Sequence, residues 1–386
     1  MPSHLARLTA VTAVLTGACF LAQAHAASFQ GIGDIAGGSF QSTAQGISAD
    51  GLTVVGQGQG ATSANVAVIW TAATGIKALY SGTTSGVANK VSANGSVVVG
   101  RDDSAGARAF RYSGSLGFVG GINPAGSPPN QGRSWAISSD ATTVVGSVAS
   151  PASTAGEQAF RYTAATGLVA MGFLGSINNN GISYLSEARD VSGNGGVIVG
   201  FSSSTAGQSA FRWTAATGMT DLGRFSGDPS DYIANAVSTD GNVIVGSSPE
   251  HGGFSWTQAG GLQALSGFTT AAKPLDVNAN GSVIVGSDKL PTDLNTNAVF
   301  WRGGVEFKLK DYLISQGIVA VNGWDLRLIS GISDDGLTVV GSGIDPSGFT
   351  EGFIANISAV PESSSGALLC MGLLGGGLVL RRRLKG

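Results

Sequence analysis

One ten-residue phrase recurs seven times along this chain, and a period of that kind restricts the fold before any single residue is considered. The clearest copy is Val237-Ser-Thr-Asp240-Gly241-Asn-Val-Ile-Val-Gly246. The others are Ile47–Gly56, Val91–Gly100, Ile137–Gly146, Val191–Gly200, Val277–Gly286 and Ile332–Gly341, with closing glycines 44, 46, 54, 46, 40 and 55 residues apart. Repeats of 40–50 residues belong to propellers, solenoids and arrays. Each copy reads as a hairpin that turns at Asp-Gly or Asn-Gly, the pair suited to a type I′ turn. The run after the turn is apolar on both faces, which implies burial on both sides. Asp140-Ala141 replaces Asx-Gly in the third copy, so another turn type or some strain is expected there.

A second phrase follows each hairpin. Ala109-Phe110-Arg111-Tyr112, Ala159-Phe160-Arg161-Tyr162 and Ala210-Phe211-Arg212-Trp213 are its full copies. Looser copies start at Ala67, Gly253, Ala298 and Gly352. Residues two apart share a strand face, so the two aromatics point together and Arg points away. Thr-Ala-Ala-Thr-Gly then recurs verbatim at 71–75, 163–167 and 214–218, followed by a short fourth strand, clearest at Met219–Gly223. Four short antiparallel strands in about 47 residues make a propeller blade. The seventh repeat stops at Ile357 without its fourth strand, while Ile32-Gly-Asp34-Ile35 stands alone before the first. The expectation is all-β: a seven-bladed propeller spanning 27–358, closed by an N-terminal strand at Ile32–Ile35 paired with Gly352–Ile357. Lys308–Gln316 is the one stretch that reads as a helical turn.

The ends differ from the middle. Residues 1–26 carry Arg7, an apolar stretch and Ala24-His25-Ala26, the pattern of a secretory signal. Thr16-Gly17-Ala18-Cys19 departs from a lipoprotein box. Residues 359–386 place Val360-Pro361-Glu362 before an apolar segment at 366–380 and the basic cluster Arg381-Arg382-Arg383. Fifteen residues are short for a stable span. Both cysteines lie in these end segments, so the body has no disulfide framework and no thiolate metal site. The body keeps 16 basic against 23 acidic side chains, a balance that excludes a nucleic-acid footprint.

The Asx-Gly/Val-Val-Gly hairpin with Ala-Phe-Arg-Trp resembles the HAF repeats of bacterial extracellular proteins. Arg108, Gln158 and Ser209 stand where that repeat has its name-giving His. The tail resembles a PEP-CTERM sorting signal, with Ser363 in place of a second Pro. These resemblances imply a Gram-negative exported protein, cut or held at the inner membrane by an exosortase and then displayed at the cell surface. They imply no known reaction.

Chemistry-bearing motifs are few. No His has a partner at zinc-ligand spacing, and no calcium loop or phosphate-cradling glycine motif is present, so no cofactor is expected. Asp102-Asp103 and His251 read as solvated loop residues. The long inter-blade connections hold the better candidates for ligand binding: Arg133, Trp135, Tyr184, Asp228, Asp231, Tyr232, Trp324 and Asp325, with Glu187, Arg189 and Arg327 beside them. Aromatics next to carboxylates and arginines suit a sugar-binding surface. The expected function is a non-enzymatic surface protein associated with extracellular polysaccharide. The alternative is a glycan-processing enzyme with a carboxylate pair drawn from Glu187, Asp228, Asp231 and Asp325, whose separation would decide the mechanism. A purely architectural role is the third possibility.

Overall fold

A computed structural model describes residues 26–358 apart from 63, 81–84, 105, 120–130, 151–156, 175–184, 206, 266–270 and 290–292. Tyr184 and the residues of the expected sorting motif, Val360, Pro361, Glu362, Arg381, Arg382 and Arg383, lie outside the described residues, as do 1–25. Residues Ala27–Ala359 form one compact unit.

Its strands make seven four-stranded antiparallel sheets, six of them consecutive in sequence. The chain is a seven-bladed β-propeller. The inner strands of blades 1 to 7 are Ser42–Ile47, Gly86–Val91, Gly132–Ile137, Ser186–Val191, Ile233–Val237, Lys273–Val277 and Asp325–Ile332. Blade 7 takes its outer strand from the N-terminus: Ser28–Gly31 pairs with Thr350–Asn356, Phe29 opposite Ala355 and Gly31 opposite Phe353.

The closing strand therefore sits four residues before the expected Ile32–Ile35. The reason is visible in blade 4, where the outer strand Gly218–Asp221 is followed by Leu222-Gly223. Leu222 N–H donates to Ala210 C=O, and Ile32 N–H donates to Gly352 C=O in the same way. Ile32-Gly33 thus matches Leu222-Gly223, which places the closing strand just ahead of the phrase, at Ser28–Gly31.

The hairpin turns differ from expectation as well. In blade 1 Gly51 N–H donates to Ser48 C=O at 2.9 Å, and Gly51 has φ +75°. The left-handed residue is the fourth of the turn, whereas type I′ needs positive φ at both central positions. Asp50 instead accepts from Ser48 Oγ (2.6 Å) and Leu52 N–H (3.0 Å), and Ser48 Oγ accepts from Thr53 N–H (3.0 Å). The Ser-x-Asx phrase is thus a side-chain-locked turn. Ala141 keeps the same geometry at φ +61°, so the third copy carries strain rather than a new turn.

The closing glycine of each phrase has a separate cause. Every inner strand is bulged, at Gln45 in blade 1 and Arg189 in blade 4, for example. The bulge swings the preceding carbonyl against the second strand. A Cβ on Gly56 would lie 2.0 Å from Thr43 O, and one on Gly200 1.9 Å from Glu187 O. Only glycine fits there.

The two valines before that glycine face different blades. Val55 packs with Val98 and Phe110 of blade 2, while Val54 packs with Val340 of blade 7. The core is accordingly a series of inter-blade layers, five of them built around a buried Phe (Phe110, Phe160, Phe211, Phe254 and Phe353), while the blade 5–6 and blade 7–1 layers are built around Trp301 and Trp70. In the aromatic row that follows, Trp70 and Trp301 are buried, while Tyr112, Tyr162, Trp213 and Trp256 are half-buried. Helix α1 (Leu309–Ser315) buries Leu309 and Leu313 against Phe300 and Trp324.

A belt of hydrogen bonds links the hairpin turns of all seven blades. It runs Ala49 N–H to Ala93 C=O, Ala93 to Ser139, Asp140 to Gly193, Gly193 to Thr239, Asp240 to Ala279, Ala279 to Asp334, and Asp334 back to Ala49. The turns thereby draw together around one end of the central channel.

Candidate functional site

The bulges decide what the channel presents to a ligand. An extra residue leaves the strand alternation and is re-aimed, and here each blade bulges at the same place. Gln45, Asn89, Trp135, Arg189, Asn235, Leu275 and Ser330 are the extra residues, with Arg327 a second one in blade 7. With Lys90, Asp190 and Leu328, the first seven line a cavity of about 280 Å³ in the channel. Three of them bind the next blade: Asn89 Nδ2 donates to Ser134 C=O (2.9 Å), Asn235 Nδ2 to Pro274 C=O (2.8 Å) and Ser330 Oγ to Ala44 C=O (2.7 Å). Each amide keeps its carbonyl oxygen as a further acceptor.

Trp135 is the aromatic surface of this funnel. The Arg133 and Arg189 guanidinium carbons lie 5.6 and 5.2 Å from its ring centroid. Its indole Nε1 is buried without a hydrogen-bond partner among the described residues. Arg133 pairs with Glu157 at 3.0 Å and Arg189 with Glu187 at 2.6 Å. Ser147 Oγ bridges these two carboxylates, donating to Glu157 and lying 3.3 Å from Glu187. Two ion pairs result, not a free acid beside a free base.

Lys90 closes the funnel floor. Its Nζ reaches across from blade 2 to Asp276 Oδ2 of blade 6 at 3.0 Å. Below it is a second cavity of about 50 Å³, lined by Asp190, Asp276, Asp334 and the aliphatic ring that includes Ile47, Val91 and Val237. Both Asp190 and Asp276 are buried. They also hold neighbouring backbones, Asp190 accepting from Val237 N–H (2.9 Å) and Asp276 from Ile332 N–H (3.2 Å). Burial alone would lower the Lys90 pKa, but Asp276, Asp190 and Asp334 outweigh it and hold the ammonium well above its ordinary range. Burial pushes Asp190 up to about 6, with Lys90 opposing and Asp276 reinforcing the shift.

Of the residues singled out from sequence, Arg133, Trp135, Arg189 and Glu187 are brought together, at and beside the funnel. The others go elsewhere. Tyr232 is fully buried, donates to Asp228 and packs on Phe254. Asp228 is buried and also accepts from Ser230 N–H (2.8 Å), with His251 Nδ1 at 2.8 Å. Burial would raise its pKa, and the hydrogen bonds from Ser230, Tyr232 and His251 hold it well below the carboxylate range instead. His251 is therefore tied to the blade 4–5 connection and lies against Phe225, ring centroids 4.8 Å apart at a 31° tilt, not merely solvated. Asp231 accepts from Gln208 N–H (2.9 Å). Trp324 is core, 5.1 Å from Phe29, and Asp325 pairs with Arg327 at 2.8 Å. Asp102 and Asp103 take separate arginines, Arg108 and Arg101. No group of three or more His, Cys, Asp or Glu among the described residues could hold a metal.

Lys90, Asp190, Asp276, Gln45, Asn89 and Asn235 escaped the sequence reading. A signal was present: all stand one or two places before the Ile or Val that opens the repeated phrase, where the copies disagree most.

No protein-family profile and no curated protein sequence matches the chain. No helix among the described residues is long and apolar enough to cross a membrane. Among solved structures, TolB from Acinetobacter baumannii is similar with a TM-score of 0.45 at 12% identity, over 66% of this chain and 63% of that one. A putative TolB from Agrobacterium tumefaciens gives 0.44 at 12% identity, over 73% of this chain and 93% of that one.

Proposed function

We propose that this chain is an exported, non-enzymatic binding propeller whose ligand is a neutral extracellular glycan held in the central funnel. The observation that carries this reading is the seven-fold bulge, which gathers Trp135 with Gln45, Asn89, Asn235 and Ser330 around one cavity. An indole face with amide and hydroxyl groups suits a pyranose, which offers an apolar face and hydroxyl edges. Charge favours a neutral ligand over an acidic one. Lys90, Arg133 and Arg189 are each already opposed by a carboxylate. The same pairing speaks against the enzyme alternative, since Glu187, Asp228, Asp231 and Asp325 are committed to separate partners.

Export and surface display are supported by the signal-like residues 1–26 and the sorting-like tail. Exosortase processing predicts that the mature protein lacks residues 384–386, and only in cells that have the enzyme. Retention of those residues in both cell types would make the tail a permanent anchor. A glycan array tests the binding itself. The parent should bind neutral polysaccharide fragments, and Trp135→Ala should lose them with an unchanged melting temperature. Equal binding by that variant would refute the funnel as the site.

A further inference from the structure

One blade alone lacks a large side chain at the position that faces the next blade. The residue opposite the second valine of each phrase points into the groove toward the next blade. That residue is Ile69, Arg111, Arg161, Arg212, Ser255, Phe300 and Ile354 in blades 1 to 7, opposite Val55, Val99, Val145, Val199, Val245, Val285 and Val340. Six of the seven are large. Ile69, Phe300 and Ile354 pack into inter-blade clusters, and the Nε atoms of Arg161 and Arg212 are buried, so those arginine stems fill their grooves too. Blade 5 alone has a small side chain, Ser255.

A cavity of about 350 Å³ lies there, between blades 5 and 6. Val243 and Leu265 of blade 5 and Ile284 and Trp301 of blade 6 form its apolar wall, and Ser255, Thr257 and Ser282 supply hydroxyls. The hairpin of blade 6 adds room, because Gly303-Gly304 replaces the Thr-Ala-Ala-Thr-Gly loop of blades 1, 3 and 4. None of the lining residues carries a charge.

We infer that this inter-blade cleft is a second binding site, independent of the funnel, for a small neutral aromatic ring compound with one hydrogen-bonding group. The volume lies in the range of small-molecule sites, and a site of this kind is mostly apolar with a few placed polar groups. Shortening a groove-filling side chain leaves unfilled apolar surface that costs stability unless something occupies it. Apolar protein cavities take up small aromatic molecules, and the hydroxyls here would bond the one polar group. An ion is disfavoured, because nothing charged lines the wall to offset its desolvation.

The chain supplies its own closing variants. Ser255→Arg installs the residue of blades 2, 3 and 4, and Ser255→Ile that of blades 1 and 7, so both side chains are ones that this groove accommodates elsewhere. Indole is the probe, with methyl glucoside as the polar ring control, followed by saturation-transfer NMR on the full-length chain. Indole should bind the parent at one site and bind at least ten-fold more weakly to both variants, whose melting temperatures should equal or exceed the parent's. Trp135→Ala should bind indole as the parent does. The inference fails if indole does not bind at millimolar concentration, or if the closed variants bind it equally. It also fails if methyl glucoside binds in preference, or if Trp135→Ala rather than a Ser255 variant abolishes binding.

Discussion

Lys90 Nζ stands 3.0 Å from Asp276 Oδ2, so a single ion pair joins blade 2 to blade 6 across the channel. Asp276 also receives the N–H groups of Val277 (3.0 Å) and Ile332 (3.2 Å), so the pair is built into the backbone of blades 6 and 7. Removing one partner of a buried pair leaves the other uncompensated, which typically costs about 3–5 kcal/mol. Lys90→Met should therefore destabilise by about 3 kcal/mol in denaturant titrations. Adding Asp276→Asn removes the stranded charge and keeps an acceptor for one of the two N–H groups, which bond different carboxylate oxygens. The double variant should regain about 1–2 kcal/mol; a further loss would show that the Lys90 stem, and not its charge, holds the channel together.

Asp190 supplies a pH test with a definite sign. Its folded-state pKa, about 6, lies above the ordinary value of 3.8, so the folded protein resists ionising it. The stability tied to the protonated form is complete below about pH 4 and lost as pH rises through about 6. A rise of roughly two units corresponds to about 3 kcal/mol. Asp190→Asn imitates the protonated acid. Its melting temperature should match the parent at pH 4 and exceed it at pH 7.5. A variant less stable than the parent at pH 7.5 would mean that attraction to Lys90 outweighs burial.

Ala141 holds a left-handed conformation that glycine occupies in the other six turns. An L-residue there costs about 1–2 kcal/mol, while glycine loses roughly 0.5–1 kcal/mol through unfolded-state entropy. Ala141 also packs in the cluster that contains Val97. The net gain expected for Ala141→Gly is about 0.5 kcal/mol. The reverse change, Gly95→Ala, combines the same strain with a Cβ only 2.5 Å from Thr53 Oγ1, and it should cost more than about 1 kcal/mol. Equal melting of the two variants and the parent would remove strain as the explanation of the Asx-Gly pattern.

The repeat was legible because each part of it answers a backbone demand that recurs around the ring: the Ser-x-Asx lock, with Asn278 for Ser in blade 6, the left-handed Gly51, with Ala141 in blade 3, and the crowded Gly56. Turn type was not legible, since a glycine with positive φ fits either the third or the fourth turn position. Nor was the direction of Gln45, Asn89 or Trp135. One extra residue in a strand reverses which face a side chain takes, and nothing in the sequence marks where the bulge falls. Trp324 and Tyr232 misled for a related reason: an aromatic in a long connection looks available until the packing of Phe29 or Phe254 against it is known.

Ring closure yields the last prediction. The outer strand of blade 7 is only four residues long, and of these Phe29 alone is buried. Its ring lies 5.1 Å from Trp324 and 5.6 Å from Phe353, so one side chain fastens the N-terminus to the last blade. Truncating a buried Phe costs about 3–5 kcal/mol. Phe29→Ala should thus destabilise by about 3 kcal/mol and speed amide exchange in Thr350–Asn356, the strand that it covers. Phe40 is the control. It is 66% exposed, and its aromatic neighbour, Phe349, is 46% exposed. Its change to Ala should stay within about 0.5 kcal/mol, as surface substitutions usually do. If Phe29→Ala melts with the parent and the exchange of Thr350–Asn356 is unaffected, the N-terminal strand does not close the ring.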